Sequence, residues 1–134
     1  MLVDACAVIA ILAGEPEAAA YRDVLAAAEA PFMTSLGAWE AILVLARPEQ
    51  MACTFQQAQR VVLRWLDAND IELRETGDPR LVLGHAVAVA DQIGVGKRAL
   101  SNFDCFHYAH AKVAGAPLLT LDRLLRETDV ETVP

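Results

Sequence analysis

Four acidic residues each stand alone inside an apolar run: Asp4 in LVDACAVIA, Glu40 in LGAWEAILVLA, Asp104 in SNFDCFHYA and Asp122 in LLTLDRLL. Burying a carboxylate is costly unless it is paired, hydrogen-bonded or coordinated to a metal, so each of them demands a partner. Each also has a plain alternative. Asp104 falls in the first turn of a helical segment, where exposed amides and the helix dipole favour an acid by about 0.3–1 kcal/mol. Glu40 can simply point to solvent, and Asp after a strand is a common cap. If the four converge, crowded carboxylates repel and call for a cation. Oxygen-only ligands favour a hard ion, Mg²⁺ or Mn²⁺, over zinc. Such an ion lowers the pKa of a bound water, places it for in-line attack on a phosphodiester and offsets charge on the leaving oxygen.

Other groupings carry less. Asp104, His107 and His110 lie three apart on one helix and could converge on zinc, but two histidines at that spacing without a third ligand are ordinary packing or surface residues. Cys105 sits beside Asp104 and His107, yet a thiol–imidazole nucleophile has no orienting third group here. His85 reads as a satisfied helix histidine. Ser35 and Thr120 either support the acids by hydrogen bonding or serve as an ordinary helix cap and strand end. Gly94-Val95-Gly96-Lys97 lacks the full phosphate-loop spacing, which argues against nucleotide hydrolysis.

The elements that must position the acids follow from caps and breakers. Leu2-Val3 reads as a strand that runs through Asp4 into a helix over Ala5–Leu12, closed by Gly14; a second helix begins at Pro16 and extends to about Ala28. A short strand fits within Pro31–Thr34, followed by Ser35 as the cap of a helix from Leu36 to about Arg47. Thr54 caps a fourth helix whose Phe55, Ala58, Val61, Val62, Trp65 and Leu66 form an apolar stripe for core packing or a dimer face. Ile71–Leu73 is a candidate strand, and Asp78-Pro79 opens a fifth helix to about Gln92. Ser101 or Asn102 caps the helix that carries Asp104 and ends at Gly115. Pro117–Leu121 reads as a buried strand with Asp122 at its carboxyl end, Arg123–Arg126 as a short helix and Val130–Val133 as a last strand. This alternation predicts one three-layer α/β/α domain over residues 1–134, with a mostly parallel, short-stranded central sheet. In such sheets ligands gather beyond the carboxyl ends of the strands, where Asp4 and Asp122 fall.

The chain has 134 residues and is 55% hydrophobic, yet no apolar run reaches the roughly 20 residues of a membrane span. The apolar start lacks a basic leader and is interrupted by Asp4, so a soluble cytoplasmic protein is expected. Cys6, Cys53 and Cys105 are odd in number without CxxC spacing, which argues against a disulfide framework or structural zinc. A net charge of −7 repels a polyanion at long range, so a nucleic-acid substrate would need bound metal, clustered cations or a partner protein. Arg47, Lys97, Arg98 and Lys112 are the candidate backbone contacts.

The ordered set LVDACAVIAILAGEP, TSLGAWE, LSNFDCFHYAHAK and LLTLD resembles the PIN-domain ribonucleases, specifically the VapC toxins of type II toxin–antitoxin modules, over nearly the whole chain. The resemblance places Asp4, Glu40, Asp104 and Asp122 on the family's acidic quartet. It implies a PIN-like fold, endoribonuclease activity dependent on Mg²⁺ or Mn²⁺, an RNA substrate, a homodimer and a cognate VapB-type antitoxin. Two departures stand out. Cys6 replaces the family's usual Ser or Thr two residues after the first Asp, and a thiol is a poor donor for ordering a metal site. Asp129 offers a second acid near Asp122. The alternative function is a catalytically impaired PIN-like module that still binds antitoxin or RNA.

Overall fold

The computed structural model describes residues Met1–Pro134. Its sheet comprises five two-residue strands: β1 (Leu2–Val3), β2 (Phe32–Met33), β3 (Glu72–Leu73), β4 (Leu118–Leu119) and β5 (Thr132–Val133). Their order is β3-β2-β1-β4-β5, and every pairing is parallel. Backbone bonds extend the ladders past the strand ends: Asp4 N–H donates to Leu119 O at 3.3 Å and Thr120 N–H to Val133 O at 2.8 Å.

Six helices flank the sheet: α1 (Ala5–Ala13), α2 (Ala18–Ala26), α3 (Ser35–Leu45), α4 (Phe55–Ala68), α5 (Pro79–Ile93) and α6 (Asn102–Ala114). Successive strand side chains point to opposite faces of a sheet. Val3, Met33 and Leu119 accordingly join the core made by α1 to α4, while Leu2, Phe32 and Leu118 join that made by α5 and α6. The central strands are apolar at both positions because both faces are covered. This is the three-layer α/β/α arrangement expected from the alternation of elements.

Most end signals act as anticipated. Asp4 caps α1 and Gly14 ends it at φ +72°; Thr54 and Ser101 form capping boxes with Gln57 and Asp104; Asp78 caps α5 ahead of Pro79. Two boundaries differ. Thr34, not Ser35, caps α3: Thr34 is still extended and its Oγ1 accepts from Gly37 N–H at 3.2 Å, whereas Ser35 is already helical. Helix α2 begins at Ala18 rather than at Pro16 and stops at Ala26, with no side-chain cap at its start.

The chain lays β2 and β3 on one side of β1, then returns to place β4 and β5 on the other. The order therefore switches between β1 and β4, and the crevice beyond their carboxyl ends is the position that open α/β sheets offer to ligands. Helices α3 and α6, from opposite layers, touch each other there. No helix is long and apolar enough to cross a membrane.

The connection between β3 and α5 is keyed to α6. Gly77 adopts φ +50°, and a Cβ built on it would lie 2.4 Å from Val113 Cγ1. Gly77→Ala is expected to lower stability by about 2 kcal/mol in denaturant unfolding, through left-handed strain and overpacking together. Val113→Ala in the same chain should recover part of that loss; strictly additive losses would show that the two residues do not meet.

Candidate metal centre

Asp4 follows β1 directly and is 3% exposed. Its carboxylate is held on both oxygens. Thr120 Oγ1–H donates to Oδ2 at 2.6 Å and the Cys6 thiol approaches the same oxygen at 3.1 Å, while Cys6 N–H donates to Oδ1 at 3.3 Å. Thr120, just past β4, also accepts from Asp122 N–H at 3.1 Å, so one hydroxyl ties the ends of the two central strands together. Tyr21 completes the support, its OH accepting from Leu121 N–H at 3.0 Å and lying 3.1 Å from Cys6 Sγ. Burial and the adjacent Asp4 charge push the Cys6 thiol up to about 12, so it stays a thiol and a donor. Burial and the Cys6 contact likewise raise Tyr21. Cys6 thus gives Asp4 a weak thiol donor, and Thr120 supplies the short bond.

Glu40 lies in the second turn of α3 and turns inward, its side chain 21% exposed. Its Oε2 is 2.7 Å from His107 Nε2, and that nitrogen is also 3.5 Å from Asp4 Oδ1. One ligand atom from each of Asp4, Glu40 and His107 lies within 4.8 Å of the others. The imidazole fits because residue 37 is glycine: a Cβ there would come within 3.2 Å of His107 Cε1 and 3.3 Å of Met33 Cε. Burial works to lower the pKa of His107, but the charges of Asp4, Glu40 and Asp104 together with the Glu40 hydrogen bond outweigh it and raise the pKa.

Asp104 and Asp122 stand outside that inner group. Asp104 serves its own helix first, Oδ2 accepting from Ser101 N–H at 2.6 Å, and its charge still acts on His107. Asp122 Oδ1 accepts from the N–H groups of Leu124 and Leu125 at 2.8 and 3.0 Å, fixing the turn after β4. In both residues, and in Glu40, the second carboxylate oxygen has no protein donor. Asp129 is placed elsewhere. It precedes the parallel strand β5, hence lies toward the amino ends of the strands, and it is bound by Tyr108 OH and Lys112 Nζ, both at 2.9 Å. Those two bonds, Lys112 foremost, hold the Asp129 carboxyl below its ordinary value.

The histidines do not form a zinc set. His107 faces Asp4 and Glu40, whereas His110 Nδ1 bonds Thr76 Oγ1 at 2.7 Å and its Nε2 lies 3.7 Å from Glu75. Cys105 is no thiolate, since burial and the Asp104 charge raise its pKa. Ser35 serves Glu75 rather than the four acids, donating to it from both N–H and Oγ–H. Among the cations, Lys112 is paired with Asp129 and Arg47 lies past the far end of α3; Lys97 and Arg98 are exposed in the loop that leads into α6. Sequence reasoning missed the contribution of His107 to the carboxylate pair. Its only signal was a histidine one turn after Asp104, a pattern that core packing produces equally well.

A parallel sheet with carboxylates gathered at its switch point defines the class, a three-layer α/β domain with an acidic crevice beside β1 and β4. A PIN domain family model matches residues 1–131, and the chain belongs to that family. Over 133 residues it is 26% identical to VapC ribonuclease Mb0640 of Mycobacterium bovis and to ribonuclease VapC30 of Mycobacterium tuberculosis, covering 99% of this chain and 98% of each relative. Its fold is that of VapBC-1 from nontypeable Haemophilus influenzae, with a TM-score of 0.68 at 15% identity over 98% of this chain and 94% of that one. FitAcB from Neisseria gonorrhoeae is similarly close, with a TM-score of 0.64 at 16% identity over 99% and 96%.

The two histidines give opposite pH limbs to the metal-free protein. His107, raised above 6.5, contributes stability that is present below the unfolded value and lost as pH climbs through its folded pKa. Burial and the neighbouring His107 lower His110, only partly offset by Glu75, so its contribution is present above 6.5 and lost as pH falls through its folded pKa. With EDTA present, melting temperature should peak near the ordinary histidine value of 6.5. His107→Gln should flatten the alkaline limb and His110→Gln the acid limb. An alkaline limb unchanged in His107→Gln would contradict the assignment.

Proposed function

We propose that this protein is a metal-dependent endoribonuclease, the toxin of a type II toxin–antitoxin module, built as one PIN domain over residues 1–134. The observation that carries the reading is the convergence of Asp4 and Glu40 on one point beyond the carboxyl ends of the central strands. The VapC names of its full-length relatives supply the substrate class, RNA.

The donor set fits a divalent ion: two carboxylates face each other, and Glu40, Asp104 and Asp122 each keep an oxygen free of protein donors. Asp4 and Glu40, with Asp104 and Asp122 at the rim, would hold Mg²⁺ or Mn²⁺. Bound there, the ion supplies an acidified water and charge neutralisation for in-line hydrolysis of a phosphodiester. Asp4 is locked by Thr120 and Cys6, so it keeps its position without reorganising. Asp104 Oδ1 and Glu40 Oε1 are free to coordinate. Lys97 and Arg98, exposed ahead of α6, are candidate cations for the RNA backbone in a chain of net charge −7. An unstacked, single-stranded or loop segment suits a recessed site of this kind.

A homodimer and a VapB-type antitoxin complete the proposal. Leu83 and Val87, one turn apart on α5, are more than half exposed and give a second copy an apolar patch to cover. The likeness to VapBC-1 and FitAcB favours a cognate partner. The chain's action in the cytoplasm follows from the same module.

Purified protein should cleave single-stranded RNA with Mg²⁺ or Mn²⁺ and not in EDTA. Asp4→Asn and Asp104→Asn should each slow it by at least about a hundredfold, beyond the usual loss from a supporting residue. Growth arrest on expression in bacteria, relieved by the neighbouring reading frame, would identify the module. Cleavage that persists in EDTA and in Asp104→Asn would overturn the metal mechanism. Absence of cleavage with normal antitoxin binding would leave the impaired binding module instead.

A further inference from the structure

We propose that His107 is a nitrogen ligand of the metal centre, making it a mixed oxygen and nitrogen site that selects Mn²⁺ over Mg²⁺. The inference rests on the metal-dependent reading above, but not on RNA being the substrate.

Position comes first. With bonds of about 2.1 Å, adjacent ligand atoms on an octahedral ion lie about 3 Å apart. His107 Nε2 stands 2.7 Å from Glu40 Oε2 and 3.5 Å from Asp4 Oδ1, which brackets that spacing. Any cation seated between the two carboxylates therefore meets this nitrogen.

The ring cannot avoid the encounter. Its side chain is 1% exposed, it sits on the interior face of α6, and α3 backs onto it so closely at Gly37 that even a methyl group there would crowd Cε1 at 3.2 Å. A surface histidine could swing away from an arriving ion; this one is held.

The ring's polar contacts run through one nitrogen. Nδ1 is buried and has no hydrogen-bond partner, so every polar contact of the ring is made through Nε2 toward Asp4 and Glu40. In the metal-free protein Nε2–H donates to Glu40, and an arriving ion would take the Nε2 lone pair as that proton is released to solvent.

Ligand chemistry then sets the preference. Mg²⁺ demands oxygen donors and near-ideal octahedral geometry, whereas Mn²⁺, itself oxygen-preferring, is a first-row transition ion that accepts one imidazole nitrogen more readily. Two carboxylates and one imidazole can serve Mn²⁺, while the same nitrogen is a poor substitute for the water or carboxylate that Mg²⁺ would keep.

Pulsed EPR of Mn²⁺ bound to the intact protein tests this directly, with no RNA present. Wild type should show ¹⁴N coupling that becomes ¹⁵N coupling when histidine is ¹⁵N-labelled. The coupling should persist in His85→Gln and His110→Gln, which assigns it to His107 even if His107→Gln fails to fold. A folded His107→Gln should lose the coupling and bind Mn²⁺ about tenfold more weakly, with less change toward Mg²⁺. Bound Mn²⁺ without nitrogen coupling, or coupling that survives in folded His107→Gln, overturns the proposal. Failure of the wild type to bind Mn²⁺ overturns this inference, and failure to bind either Mn²⁺ or Mg²⁺ removes the metal-dependent reading as well. Nitrogen-coordinated Mn²⁺ in a protein that does not cleave RNA leaves the inference standing and removes only the substrate.

Discussion

The structure depends on one buried charge. Asp4 sits at the end of the central strand, almost without solvent, and a carboxylate in that position is tolerated only while its oxygens are matched. Thr120 comes from the neighbouring strand's end, Cys6 from the first turn of α1, and His107 from a helix on the other side of the sheet. Residues of α1 and α6 and the end of β4 are thereby pinned to one atom group. The short strands make such pinning necessary: two-residue ladders hold little register on their own, and the bond from Asp4 N–H to Leu119 O extends the pairing to the residue that bears the charge.

Convergence of the site follows from layering. Helix α3 belongs to one core and α6 to the other, and they meet only where the sheet ends. Glycine in the interior of a helix costs roughly 0.5–1 kcal/mol relative to alanine, so Gly37 is there for space. That space admits the His107 ring and brings Glu40 within reach of Asp4. On the far side of α6, Lys112 and Tyr108 occupy Asp129, which removes an acid and a cation from the crevice together.

Much of this architecture was legible in the chain because local and global signals agree. Paired apolar residues such as Leu2-Val3 and Leu118-Leu119 mark strands covered on both faces, and the caps at Asp4, Thr54, Asp78 and Ser101 fix where helices start. Asp4 and Asp122 could be placed at carboxyl ends on that basis. The choice between Thr34 and Ser35 as the cap of α3 was not legible, because adjacent hydroxyls offer the same chemistry and only the backbone angle separates them. The choice between Asp122 and Asp129 was recoverable from strand direction, since an acid that precedes a parallel strand lies at the opposite end from one that follows its neighbour. His107 was not recoverable. Its contact with Glu40 joins positions 67 residues apart and exists only because two layers cross above the sheet.

The central claim is that Asp4 and Glu40 form one cation-binding centre at the switch point of the sheet. Anomalous diffraction from crystals soaked in Mn²⁺ reads it most directly. The account predicts a peak between the Asp4 and Glu40 carboxylates, beside His107 Nε2. A fully occupied ion elsewhere on the molecule, with no density between those two carboxylates, would contradict it.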